Sequence, residues 1–134
     1  MLKSTIWASG LILPYQSKII IAGSRSIIDP NLIYPILDDH FSYIGEVVCG
    51  TALGVDTIGA HWAIDRQVRI SCFKPDWHPN GHYDKSAGYK RNIEMGEYAH
   101  GLLAFWDGQS RGTNHMINIM DRLGKPYVVY KLAA

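Results

Sequence analysis

Residues 18–25 read Lys18-Ile19-Ile20-Ile21-Ala22-Gly23-Ser24-Arg25. The run is too short for a helix, is apolar at odd and even positions alike, and stops at a glycine. Those features predict a strand buried on both faces, which is the condition of a strand in the middle of a parallel sheet. A small residue, a hydroxyl and a guanidinium then follow at once. In such a sheet these groups fall at the C-terminal strand edge, where ligands bind.

The rest of the chain repeats that grammar. Asp29-Pro30 opens a helix to about Phe41, with Pro35 inside it as a possible kink. Glu46-Val47-Val48-Cys49 is a second strand, stopped by Gly50. Val55, Ile58, Gly59, Trp62 and Ala63 share one helical face. Arg69–Phe73 is a third strand, and residues 74–85 form a loop. Ser86 caps a helix to about Ala99, and Gly101–Trp106 is the fourth strand. Thr113 starts the last helix, with Met116, Met120 and Leu123 on its buried face. Gly124 caps it, Pro126 forbids its continuation, and Tyr127–Tyr130 is a fifth strand. Strict alternation of strand and helix predicts an α/β fold: a Rossmann-like open parallel sheet of about five strands with helices on both faces.

Length and composition narrow the function classes. A chain of 134 residues, 47% hydrophobic and 19% charged, fits one folded domain and not a disordered segment. Lys and Arg total 13 against 12 Asp and Glu, for a net charge of +1, which argues against a general nucleic-acid coat. No 18-residue apolar run exists, so no membrane span is expected. Residues 1–17 are read as an N-terminal extension, with a swapped or interface strand as one use for it, and 18–134 as the folded domain. Within the extension, Gly10 and Pro14 interrupt the patch Leu11-Ile12-Leu13, which disfavours a secretory signal. Two cysteines, Cys49 and Cys72, make neither a disulfide framework nor a zinc site, and a cytoplasmic location is expected.

Glycines cluster after three of the strands. Gly23-Ser24-Arg25 follows the first, Gly50-Thr51-Ala52-Leu53-Gly54-Val55-Asp56 the second, and Asp107-Gly108-Gln109-Ser110-Arg111-Gly112-Thr113 the fourth. Glycine lets backbone approach a ligand, exposed N–H groups at a helix start favour an anion, and arginine forks suit phosphate. Lys90, Arg91 and Asn92 lie early in their helix, where cations oppose the dipole; a Lys90–Glu94 pair or a bound phosphate would compensate. Neither GxGxxG nor GxxxxGK[ST] occurs, which disfavours an NAD dehydrogenase and a P-loop NTPase. Asp76, His78, His82 and Asp84 lack an anchoring helix, so no metal is expected. Trp77 and Trp106 stand at loop entrances, where each could stack on a base or cover the core edge.

On these segments the chain resembles the SLOG superfamily, the Rossmann-like fold shared by the DNA-processing protein DprA and the LOG nucleotide hydrolases. The nearest branch is that of small standalone proteins. The matching stretches are Ile21–Arg25, Cys49–Asp56 (CGTALGVD), Pro75-Asp76-Trp77, Ala87–Asn92 (AGYKRN) and Gly108–Thr113 (GQSRGT). The resemblance implies a nucleotide-derived ligand over the strand ends and a homo-oligomer. LOG hydrolases cleave the N-glycosidic bond of nucleoside monophosphates and carry an Arg, a PGGxGT loop and a Glu three positions after the Thr. Arg91, with Met95 four residues on, matches the first, and Gly112-Thr113 matches the end of the second. The Glu position is Met116 here, which counts against that chemistry.

The expectation is therefore a protein that binds a nucleotide or an NAD-derived phosphorylated molecule such as an ADP-ribose-type signal, as sensor or sequestering protein, with no cofactor. Arg25, Arg91 and Arg111 would hold phosphates and Asp56 a ribose hydroxyl. Gly23, Ser24, Gly50, Thr51, Ala52, Gly54, Lys90, Asn92, Asp107, Gly108, Ser110, Gly112 and Thr113 would complete the site. The alternatives are a LOG-like phosphoribohydrolase, with Arg91, Asp56, Glu94 and Asp107 as catalytic candidates, and DprA-like binding of single-stranded DNA.

Overall fold

The computed structural model describes Trp7 and residues 16–132. The extension read over residues 1–17 thus lies outside the described residues, apart from Trp7, Gln16 and Ser17. Five strands form one sheet: β1 (Ser17–Gly23), β2 (Ile44–Gly50), β3 (Arg69–Phe73), β4 (Gly101–Trp106) and β5 (Tyr127–Lys131). All pairs are parallel, in the order β3-β2-β1-β4-β5. The helices are α1 (Pro30–Asp39), α2 (Val55–Asp65), α3 (Ala87–Tyr98) and α4 (Arg111–Arg122).

The isoleucine run does what its pattern predicts. Ile19 and Ile21 join a core with α1 and α2, through Ile33, Leu37, Ile58 and Trp62. Ile20 and Ala22 face the other way, toward Met95 of α3 and Met116, Ile119 and Met120 of α4. Helices therefore cover both faces, two on each. The first core is rich in rings, with Phe105 stacked on Tyr130 at 5.2 Å and Trp7 packed beside His40 and Tyr43. The second is smaller and rich in methionine, whose flexible thioethers fill irregular space.

The helix ends follow local capping signals at some positions and depart from them at others. Asp29 caps α1 by accepting from Asn31 N at 2.9 Å. At α4 the chain becomes helical two residues before Thr113, because Ser110 takes the cap position and its Oγ accepts from Thr113 N at 3.5 Å. Ser86 precedes α3 as expected, yet its hydroxyl donates to Asp84 Oδ1 at 2.6 Å and caps nothing. Gly124, at φ +67°, ends α4: Lys125 N bonds Met120 O and Gly124 N bonds Asp121 O, the paired bonds of a Schellman turn. Leu123 sits at that cap and is 45% exposed, so Ile119 fills the buried face in its place. Among the described residues no helix is long and apolar enough to cross a membrane.

Candidate functional site

The strand order puts the topological switch between β1 and β4. From β1 the chain moves outward through β2 and β3, then returns to the other side for β4 and β5. Loops leaving β1 and β4 at their C-terminal ends therefore diverge, and a cleft of about 450 Å³ opens between them. It is lined by Ala22, Gly23, Arg25, Ser26, Ala52, Asp56, Arg91, Asn92, Met95, Asp107, Ser110, Gly112, Thr113 and Met116.

One wall is the tight junction of β1 with β4. Gly23 pairs in register with Phe105, and a Cβ there would lie 2.1 Å from Phe105 O. Ser24 N donates to that same carbonyl at 3.0 Å. Asp107 N donates to Ser24 Oγ at 3.0 Å, and Ser26 Oγ donates back to Asp107 Oδ2 at 3.2 Å. Asp107 Oδ1 accepts from Gln109 N and Ser110 N, each at 2.8 Å. Those backbone donors hold the Asp107 carboxyl below its ordinary range. Asp107 is thus fully used in shaping its loop and is a weak proton acceptor.

The opposite wall carries the open charge. Asp56, in the first turn of α2, is 6% exposed, and its Oδ2 accepts from Ala52 N at 3.2 Å. Burial pushes its carboxyl from the ordinary 3.8 up to about 6, against the opposing pull of the Ala52 N–H and of the Arg91 and Arg25 guanidiniums. Arg91 comes from α3, half-buried. It donates from Nε to Asn92 Oδ1 at 3.1 Å and from Nη1 to Phe73 O at 3.3 Å. Desolvation lowers its pKa, and Asp56 opposes that. The two side chains meet over Gly50: a Cβ there would lie 2.5 Å from Arg91 Nη1 and 2.7 Å from Asp56 Oδ2. The ion pairs among the described residues are Arg66–Asp38 and Lys90–Asp84, so Arg91 faces Asp56 without closing one.

Asn92 ties α3 to the loop before α4, donating from Nδ2 to Gly112 O at 3.4 Å. Beyond this link the cleft continues into a second lobe of about 250 Å³, lined by Arg25, Trp77, Lys85, Gly88, Tyr89, Arg91, Asn92 and Gly112. The two lobes share Arg25, Arg91, Asn92 and Gly112.

Of the residues expected at the site, Gly23, Arg25, Ala52, Asp56, Arg91, Asn92, Asp107, Ser110, Gly112 and Thr113 line the main lobe. Ser24, Gly50 and Gly54 stand behind it, with Gly54 packed on the backbone of Arg25. Thr51, Gly108 and Arg111 are outside both linings. Arg111 is exposed in the first turn of α4, and Gly108 faces the Lys131 side chain. Lys90 turns away and bonds Asp84 Oδ2 at 2.6 Å, in place of the expected Glu94 partner. Glu94 is exposed and lines a different depression, with Lys74 and Pro79. Ser26, Met95 and Met116 line the cleft without having been singled out as binders; Ser26 carried the better signal, three residues past Gly23. Met116, 1% exposed, supplies apolar floor.

Other candidates are committed elsewhere. Asp84 accepts from Ser86 and Lys90, and Asp76 from His78 N. No group of three or more His, Cys, Asp or Glu among the described residues is placed to hold a metal. Cys49 and Cys72 are free thiols 3.4 Å apart across β2 and β3, and burial pushes Cys49 up to about 12, which makes it inert. Trp106 donates to Ser110 O at 3.0 Å and props the loop before α4.

Comparison with known proteins agrees with this architecture. A family model described as the YspA, cpYpsA-related SLOG family matches residues 17–79, which carry β1, β2, β3 and the glycine loops after the first two. A comparison with curated proteins found no match. The loop from Asp107 to Thr113 lies beyond the matched residues. That match, on the first three strands of a five-stranded parallel sheet, supports membership of the SLOG superfamily.

Proposed function

We propose that this protein binds a nucleotide or an NAD-derived phosphorylated molecule, of which ADP-ribose is the type, in the cleft at the β1–β4 switch point. One observation carries the reading: Arg25 and Arg91 converge on a concave site whose buried carboxylate, Asp56, accepts from one backbone N–H. Guanidiniums supply forked donors to phosphate, and a carboxylate accepts from ribose hydroxyls. Arg91 and Asp56 face each other without an ion pair, so a ligand with an anionic and a hydroxyl-bearing part suits both. A sensor or a sequestering protein needs no more than this. The proposal places the protein in a reducing cytoplasm, in keeping with two free thiols, and as a homo-oligomer.

The second reading is hydrolysis of the N-glycosidic bond of a nucleoside monophosphate. Asp56 favours it, since a buried carboxyl near 6 is ionised at neutral pH and can accept a proton from attacking water. Water would add at the anomeric carbon, the base would leave with a proton, and ribose 5-phosphate would remain. Met116 argues against it, because the family's own carboxylate is missing there.

Calorimetry with AMP, NAD and ADP-ribose, followed by chromatography of the recovered ligand, tests both. Tight binding with intact ligand is the expected result. Free base with turnover would replace binding by hydrolysis, and no binding of any of the three would overturn the proposal.

A further inference from the structure

The second lobe differs in chemistry from the first. Its lining includes no carboxylate, whereas Asp56 and Asp107 both face the main lobe. In their place it presents two large rings, Trp77 and Tyr89, which are 37% and 43% exposed. Large aromatic groups left open in a concave, cation-flanked recess are suited to a planar partner.

Both rings already pack against neighbours. Trp77 O accepts from Asp84 N at 2.7 Å, and Asp84 is itself anchored by Ser86 and Lys90. The indole lies nearly parallel to the Tyr83 ring, 11° apart at 6.3 Å, and its edge rests on Gly88. Tyr89 is held edge-on by His115 at 4.5 Å. Rings ordered in advance lose little further freedom on binding. Trp106, the other indole at a loop entrance, lines neither lobe.

We infer that the Trp77–Tyr89 lobe seats the nucleobase of the ligand, with the phosphate at the shared Arg25–Arg91 wall; in an ADP-ribose-type ligand the sugar beyond the phosphates then lies toward Asp56. This assignment rests on the nucleotide reading above and adds to it a division of labour. The main lobe reads sugar and phosphate; the second lobe reads the ring. Its Lys85 side excludes a positively charged ring and accepts a neutral one.

The test compares AMP with ribose 5-phosphate by calorimetry on the full chain. AMP is expected to bind about tenfold or more tighter, the worth of one stacked base. Trp77→Ala should remove most of that advantage and leave ribose 5-phosphate unchanged, while Arg91→Ala weakens both. Trp77→Phe, which keeps a ring, should retain AMP affinity and lose the quenching of tryptophan emission that AMP causes in the parent. Circular dichroism of each variant establishes that it is folded. Equal affinity of the parent for both ligands, or unchanged AMP affinity in Trp77→Ala, would overturn the base seat and leave the phosphate site standing. Absence of binding by both would overturn the nucleotide reading, and the base seat with it.

Discussion

The two walls of the cleft are built on opposite principles. At the β1–β4 junction Ser24, Ser26 and Asp107 are spoken for: they bond one another and the backbone of the following loop. At the end of β2, Asp56 is buried with one backbone donor and Arg91 stands opposite it unpaired. Two aspartates in one cleft thus titrate in opposite directions, Asp107 depressed by donors and Asp56 raised by burial. Position at a strand end does not make a residue functional. The proposed site rests instead on the charge left without an ion pair at the second wall, since buried charge is costly.

Substitutions at the first wall should damage the fold, and those at the second should alter binding with the fold kept. The largest effect is expected from Gly23→Ala. Its Cβ would meet a backbone oxygen that is already held by Ser24 N, so the strands must part, at roughly 3 kcal/mol by denaturant unfolding. Next is Arg91→Ala, which should weaken AMP or ADP-ribose binding by about 1.5–3 kcal/mol in calorimetry.

Asp56→Asn should do the reverse to stability. Between pH 4 and about 6 the folded chain holds a proton at Asp56 that the unfolded chain has released, so stability falls as pH rises through that window and stays lower above it. Asparagine keeps the oxygen facing Ala52 N and removes the charge. The empty protein should gain roughly 1–3 kcal/mol at pH 7 and lose that pH slope, while ligand affinity drops. A variant less stable than its parent at pH 7 would show that Asp56 is satisfied, and the contrast between the walls would collapse.

Gly50→Ala is gentler, because its new methyl meets side-chain tips that can move. Thermal unfolding should shift little, and affinity should fall by about tenfold as Arg91 is displaced. Smallest of all is Arg111→Ala, at an exposed position outside both lobes, expected within about 0.5 kcal/mol in stability and binding. A large loss there would mean that the loop before α4 closes over the ligand.

The fold was legible because its signals are short-range. A β-branched run must be a strand, Gly124 with Pro126 must end a helix, and alternation of the two elements leaves few topologies. The site was legible in its loops and less so in its side chains. Lys90 and Arg91 are neighbours in sequence, yet one turns out to Asp84 and the other inward to Asp56. Which of them faces the cleft depends on the loop that precedes α3, whose course no local pattern encodes. The same holds for Arg111, drawn to the surface once Ser110 takes the cap. Trp77 and Trp106 were equivalent as letters. They separate only when one is seen to be spent on Ser110 O and the other left open.

The strand order has a further consequence, for the making of the protein on the ribosome. Ser26 and Asp107, which lock the cleft's closed wall, are 81 residues apart in the chain. β1, β2 and β3 can begin to pair as they emerge, but the central strand waits for β4 before the closed wall has its partner. Contacts that close such long loops form late and slowly. A nascent chain therefore carries Arg25 and Asp56 well before the closed wall of the cleft exists, and the cleft is complete only with the last third of the polypeptide.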